Sequence, residues 1–251
     1  MADVNKNLRN NLFSFRDTFR NYTDCYTVIG GTACFILMED AGLNFRSTND
    51  IDMILIFEDK TEDFAKIFWD YIIEGGYTCG WKKSENHYYR FTDPNPGYPS
   101  QIELFSKREN FSVDSRIIPV HISDDISSLS AIALDDDFYD FMMKGRTVVN
   151  DISILGPEYI IPFKMFAWVN NRDLKEKGEF VRSEDITKHK NDVFRLFSLL
   201  NPAEKIATSG NVRVNIERFL NEVVTEPVNK DFLLGGRTKE ETLDILRDIY
   251  L

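Results

Sequence analysis

Val28-Ile29-Gly30-Gly31-Thr32-Ala33 and, after an interval, Arg46-Ser47-Thr48-Asn49-Asp50-Ile51-Asp52 decide the reading of this chain. Tyr26–Ile29 is a short apolar run that reads as a strand and stops at Gly30-Gly31. Thr32 to about Ala41 then reads as a helix, with Phe35, Ile36 and Met38 available for packing. The Ile-rich run Ile51–Phe57 reads as a second, buried strand. Residues two apart on a strand share a face, so Asp50 and Asp52 are expected to point together. Adjacent carboxylates repel unless a cation lies between them, and hard oxygen ligands suit Mg²⁺ or Mn²⁺. The two glycines let backbone N–H groups approach a phosphate with no Cβ in the way, at a helix end that favours anions. The pattern therefore predicts a site for a metal-bound triphosphate.

Outward from this core, Asn5–Phe19 reads as an amphipathic helix with Leu8, Leu12, Phe15 and Phe19 near helical spacing. Lys60–Glu74 reads as a further helix, stopped by Gly75-Gly76. Strands are expected around Tyr77–Trp81 and His87–Thr92, and the turn-forming run Asp93–Pro99 leads into another at Gln101–Ser106. Helices alternating with strands and hairpins indicate an α/β (α+β) sheet domain. Around Pro157 the character changes. Pro157–Asn170, Ser183–Leu200, Pro202–Ser209, Val212–Val224 and Thr238–Tyr250 all read as helices, the last opened by a capping box of Thr238 and Glu241. The expectation is an α/β domain over 1–155 and a helical domain over 156–251.

Composition narrows the function classes. Aromatic residues make up 13% and hydrophobic residues 43% of 251, enough for a core that needs no disulfide or structural metal. No apolar run has the roughly 18 residues of a membrane span, and the opening MADVNKNLRN lacks the apolar core of a signal peptide. Cys25, Cys34 and Cys79 form no CxxC pair, which suits reduced thiols in a cytoplasmic protein. The net charge of −11 is uneven: residues 1–154 hold 25 Asp/Glu against 15 Lys/Arg, and residues 155–251 hold 16 against 15. Such an acidic first part repels a polyanion at long range, which argues against a general nucleic-acid coat protein. It still attracts divalent cations and leaves room for local docking of one RNA end.

Moving a phosphoryl or nucleotidyl group requires alignment and charge neutralisation more than covalent help. A third carboxylate beside the first two can bind a second metal ion or take a proton from the attacking hydroxyl. Glu103, flanked by Ile102, Leu104 and Phe105 in a strand expected alongside Ile51–Phe57, is the candidate. Lys164 sits among Phe163, Phe166, Ala167 and Trp168, where it either meets an anion or snorkels from an apolar face. Asp192 reads equally as a site residue or a surface helix residue. Arg46 either binds phosphate or braces the acidic pair.

In this order the motifs resemble the nucleotidyltransferase superfamily, and more closely its AbiEii/AbiGii toxin-type branch. There a GGTA turn precedes an Arg-x-Ser/Thr-x-Asp-apolar-Asp segment, matched here by Gly30–Ala33 and Arg46–Asp52. A helical Lys-x-x-Ala is matched at Lys164–Ala167, and a basic residue shortly before an Asp at Lys188-His189-Lys190-Asn191-Asp192. The likeness covers roughly residues 25–200 and implies a nucleotidyltransferase-like mixed sheet followed by helices. It implies that Gly30, Gly31 and Thr32 contact phosphates and that Asp50 and Asp52 hold the metal. Lys164 would pair with the NTP phosphates, and Asp192 would complete the site. Two positions depart from the pattern: eighteen residues separate Gly31 from Asp50, more than is usual, and His189 stands where the branch often has an acidic residue.

Other signals point to structure. His87, His121 and His189 lack metal-ligand spacing, Asp135-Asp136-Asp137 reads as a solvated turn, and Gly235-Gly236-Arg237-Thr238 reads as a helix entry rather than a phosphate loop. The resemblance implies a toxin that transfers a nucleotide from an NTP to RNA (a tRNA end among the options) or protein, with a cognate antitoxin as partner. The alternatives are a small-molecule enzyme acting on aminoglycoside-like antibiotics and a binding module without catalysis.

Overall fold

The computed structural model describes residues 2–56, 61–82, 85–107, 117–120, 129–233 and 236–251; the side chains of 2–10, 61, 80–82, 85–88, 117–120 and 129–133 fall outside that description, as do the expected element ends Phe57 and Lys60 and the residues His121 and Gly235. Its chain divides into two compact units, Met1–Tyr139 with Arg146–Leu155, and Asp140–Gly145 with Gly156–Leu251. The architecture is mixed α/β. The hexapeptide Asp140–Gly145, which the sequence reading left with the first domain, groups with the second unit.

In the first unit α1 (Ala2–Phe19) precedes β1 (Tyr26–Ile29), α2 (Gly30–Asp40), β2 (Asp50–Leu55) and α3 (Thr61–Glu74). There follow β3 (Thr78–Lys82), β4 (Glu85–Thr92), β5 (Gln101–Lys107), β6 (Ile117–Val120) and β7 (Leu129–Leu134), then α4 (Asp136–Lys144), in which the division between the units falls. The hairpin β8 (Arg146–Val149) and β9 (Ile152–Leu155) completes the unit, turning through Asn150 and Asp151, both at positive φ. The sheet runs β3-β4-β5-β2-β1-β9-β8, with β7 beside β5 and β6 beside β7. Asp135 accepts from the Asp137 N–H at 3.1 Å, so the Asp135–Asp137 run starts a helix rather than forming an isolated turn.

Register sorts the sheet's side chains into two faces. Val28 pairs with Met53, Ile51 with Ile102, and Ile102 with Phe91, and all five are buried. That face meets the aromatic stripe of α1 and α3, where Phe15, Phe19, Phe64 and Phe68 pack with Tyr26 of β1, ring centroids 4.7–6.2 Å apart. Fully burying each such ring stabilises by about 2–3 kcal/mol, which fixes the sheet's orientation. Asp50 and Asp52 have odd-even alternation with Ile51 and Met53, so they stand on the opposite face.

The second unit comprises the helices α5 (Pro157–Glu176), α6 (Ser183–Leu196), α7 (Gly210–Glu222) and α8 (Lys239–Tyr250), with α5 packed against α6 and α7. Trp168 meets Phe219 edge-on at 5.1 Å. Pro162 lies inside α5 and has no N–H for the carbonyl of Glu158, four residues earlier. The Tyr250 hydroxyl donates to that freed carbonyl at 2.7 Å, docking the end of α8. The expected capping box of Thr238 and Glu241 is present. Pro202–Ser209, expected as a helix, is irregular. Its groups serve α8 instead: the Ile206 N–H donates to Ile249 O at 2.8 Å and the Thr208 hydroxyl to Tyr250 O at 2.6 Å, satisfying carbonyls that a helix end leaves open. Among the described residues, no helix is long and apolar enough to cross a membrane.

Candidate nucleotide and metal site

Gly30 opens α2 at φ 71°, a conformation that costs any residue with a Cβ. A Cβ added there would overlap Asp52 Oδ2, so the turn lies directly against the carboxylate. A Cβ on Gly31 would come within 2.8 Å of Thr48 Oγ1 and 3.3 Å of Arg46 Nη2. The helix thus starts two residues earlier than Thr32, with both glycines inside its first turn. Register explains the closeness, because Ile29, the residue before the glycines, pairs with Asp52 across the antiparallel β1–β2 ladder.

Thr32 joins the same two elements. Its hydroxyl donates to the Asp50 carbonyl at 2.6 Å, and the residue is buried. With that hydroxyl engaged, any part Thr32 takes in phosphate binding falls to its backbone. Arg46, half-buried, lies over the Phe45 ring at 5.3 Å and beside Gly31, a position that accommodates either bracing or phosphate contact.

Glu103 is the parallel-strand partner of Asp52, and Arg90 is the antiparallel partner of Glu103. One rung of three neighbouring strands therefore carries Asp52, Glu103 and Arg90 on a single face. Arg90 donates to Glu103 through Nε and forms an ion pair with it through Nη2. Among the described residues no three His, Cys, Asp or Glu side chains are grouped closely enough to hold a metal ion. Glu103 lies on the rung of Asp52, and its carboxylate is engaged by Arg90 of β4.

The donor set suits a hard divalent cation. Asp50 is exposed and Asp52 half-buried on one strand face, both offer only oxygen, and the glycine turn keeps side-chain bulk away from Asp52.

Lys164 and Asp192 belong to the second unit. Lys164 Nζ lies 3.2 Å from Asp192 Oδ2, with the side chains 3% and 0% exposed, and Arg195 approaches Asp192 Oδ1 at 3.6 Å. Lys164 does not snorkel and Asp192 is not a surface residue. Lys190, also buried, pairs with Glu226 at 3.0 Å. Of the three histidines, the side chains of His87 and His121 lie outside the described residues, and His189 is half-buried on α6.

Sequence reasoning passed over Arg90 and Ser100. Ser100 donates to Asp50 Oδ1 at 2.8 Å, and the only signal for it was its place at the end of a turn-forming run. Cys25 and Cys34 are buried, Cys79 is half-buried, and none of the three is in a disulfide among the described residues. No protein-family model matches the chain, and no curated protein matches it.

Proposed function

We propose that this protein is a divalent-metal-dependent nucleotidyltransferase of the AbiEii toxin type, moving a nucleotide from an NTP to an RNA or protein acceptor. The contact of the Gly30 turn with the Asp52 carboxylate carries the reading. It brings a backbone surface suited to phosphate within reach of a carboxylate pair suited to Mg²⁺, and neither feature alone supports the chemistry.

Asp50 and Asp52 would hold Mg²⁺ or Mn²⁺, which when bound supplies positive charge against the triphosphate and the leaving pyrophosphate. Half-buried Gly30 and buried Gly31, which packs against Thr48 and Arg46, would offer the phosphates the backbone start of α2. An acceptor hydroxyl attacks the α-phosphorus, the bond to the bridging oxygen breaks, pyrophosphate departs, and the acceptor's proton passes to Glu103. Lys164 and Asp192 enter this proposal through the resemblance, as partners of the NTP phosphates and of the site. A cognate antitoxin and a cytoplasmic, reducing setting belong to the same proposal.

The acidic balance of residues 1–154 supports a second reading, a cationic small molecule such as an aminoglycoside as acceptor. Thermal stabilisation by Mg²⁺ with each NTP, followed by label transfer into RNA, protein or aminoglycoside, separates the readings. Stabilisation of the wild type but not of Asp52→Asn, with label entering one acceptor class, is expected. Stabilisation without transfer to any acceptor would leave a binding module and overturn the proposal.

A further inference from the structure

The exposed Ser100 hydroxyl points at the site from a segment that the motifs do not include. It lies 2.8 Å from Asp50 Oδ1 and 3.1 Å from Asn49 O, and it has one hydrogen to donate, so the shorter contact to the carboxylate is favoured. We propose that Ser100 is the positioning residue for Asp50, setting the carboxylate's orientation for the cation; this rests on the metal-site reading above.

Exposure would normally make such a serine a poor orienting group, because a mobile hydroxyl fixes nothing. The backbone around it is tied down on several sides. The Ser100 N–H donates to Asn49 O at 2.8 Å, just before the first rung of the β2–β5 ladder, Asp50 with Gln101. The carbonyl of the preceding Pro99, a buried residue, accepts from the Tyr77 hydroxyl at 2.7 Å. Further back the Asn95 N–H donates to Gly75 O at 2.7 Å, and on the other side Asn11 Nδ2 donates to Asn49 Oδ1 at 3.0 Å. Both residues that flank the hydroxyl's reach, Asn49 and Pro99, are therefore held by other elements.

The chemistry of the donor matters as much as its place. Asp50 and Asp52 share a face and repel each other. A lysine or arginine on Asp50 would relieve that repulsion but would also compete with the cation, as Arg90 competes for Glu103. A neutral hydroxyl occupies one lone pair of Oδ1, leaves Oδ2 free, and keeps the full negative charge available. Partners that orient a ligating carboxylate in this way are worth about 10–100-fold in metal affinity.

Mn²⁺ binding without nucleotide, followed by electron paramagnetic resonance, tests this directly in the full chain. Ser100→Ala is expected to weaken Mn²⁺ binding by about 10-fold and to raise the KM for Mg²⁺ in label transfer similarly, with kcat at saturating metal and the thermal midpoint nearly unchanged. Ser100→Thr, which keeps the hydroxyl, is expected to restore both. Unchanged Mn²⁺ affinity in Ser100→Ala beside a wild type that binds and transfers would overturn the Ser100 assignment alone. A loss explained by a fallen thermal midpoint, or not rescued by threonine, would also overturn it. A wild type that binds no Mn²⁺ and transfers no label would overturn the metal-site reading and this assignment with it.

Discussion

The first unit keeps Asp50 and Asp52 at least partly accessible on one sheet face, whereas the second keeps Lys164 and Asp192 inside. Asp50 is exposed and Asp52 half-buried, and the fold around them is held by the aromatic packing on the other side of the sheet. Lys164 and Asp192 are almost fully buried between α5 and α6 and hold each other at 3.2 Å. Accessible acidic groups contribute little to folding and are available to a ligand. A buried ion pair is costly to desolvate and very costly to break, so each partner is part of the fold whatever else it does. The same residue types thus have different parts to play, and mutations separate them.

The largest effect is expected at Asp52. Asp52→Ala should lower transfer by about a thousand-fold, in line with the loss of a group that stabilises transition-state charge, while the thermal midpoint stays within about 2 °C. Activity per folded molecule, with circular dichroism melting as control, checks it; an unfolded variant would erase the contrast between the units. Lys164→Ala should act on stability as well. It takes the buried ammonium away from the buried Asp192 carboxylate, and should cost about 3 kcal/mol, a midpoint lower by on the order of 10 °C. Weaker use of NTP by the folded fraction is expected beside it, and a Lys164→Ala that melts with the wild type would show that the pair does not hold the fold.

Gly30→Ala should fall between these, because it joins both concerns. The added methyl overlaps Asp52 Oδ2 and forces an unfavourable φ, so a destabilisation of about 1–3 kcal/mol should accompany loss of metal-dependent transfer. Denaturant unfolding and label transfer on one preparation test both parts.

The smallest effect sets an exposed pair of the second unit against its buried one. Two hydrogen bonds from Arg218, each 2.8 Å, hold the Asp173 carboxyl below its usual range. A depressed folded-state value contributes stability above the unfolded carboxylate range, and this is lost as pH falls through the folded-state value. The two side chains are 39% and 34% exposed, so solvent screening limits the contribution to about 1 kcal/mol or less. Asp173→Asn should therefore lower stability slightly at pH 7 and make no difference in acid, as urea unfolding at both pH values would show.

The sequence was most legible where local pattern and tertiary need coincide. Tyr26–Ile29 was bounded by its glycines, Pro157 and Thr238 marked helix starts, and Asp50 and Asp52 followed from the strand period. Pro202–Ser209 was misread because its helical pattern yields to a distant demand, the open carbonyls at the end of α8. Ser100 and Arg90 were invisible for a similar reason: their meaning depends on register between strands, which no local window contains. Lys164 and Asp192 stood out through the resemblance, and it takes the packing of α5 against α6 to bring them together.

The most direct test of the account is transfer of label from each of the four α-labelled NTPs, with Mg²⁺, into total RNA and protein by wild type and Asp52→Ala. Label entering one fraction from wild type, with one base preferred, and none from an Asp52→Ala protein that still folds is the predicted result. Equal labelling by the two proteins, or none by a folded wild type with any NTP or acceptor, would contradict the assignment of the face that carries Asp50 and Asp52 as the catalytic site.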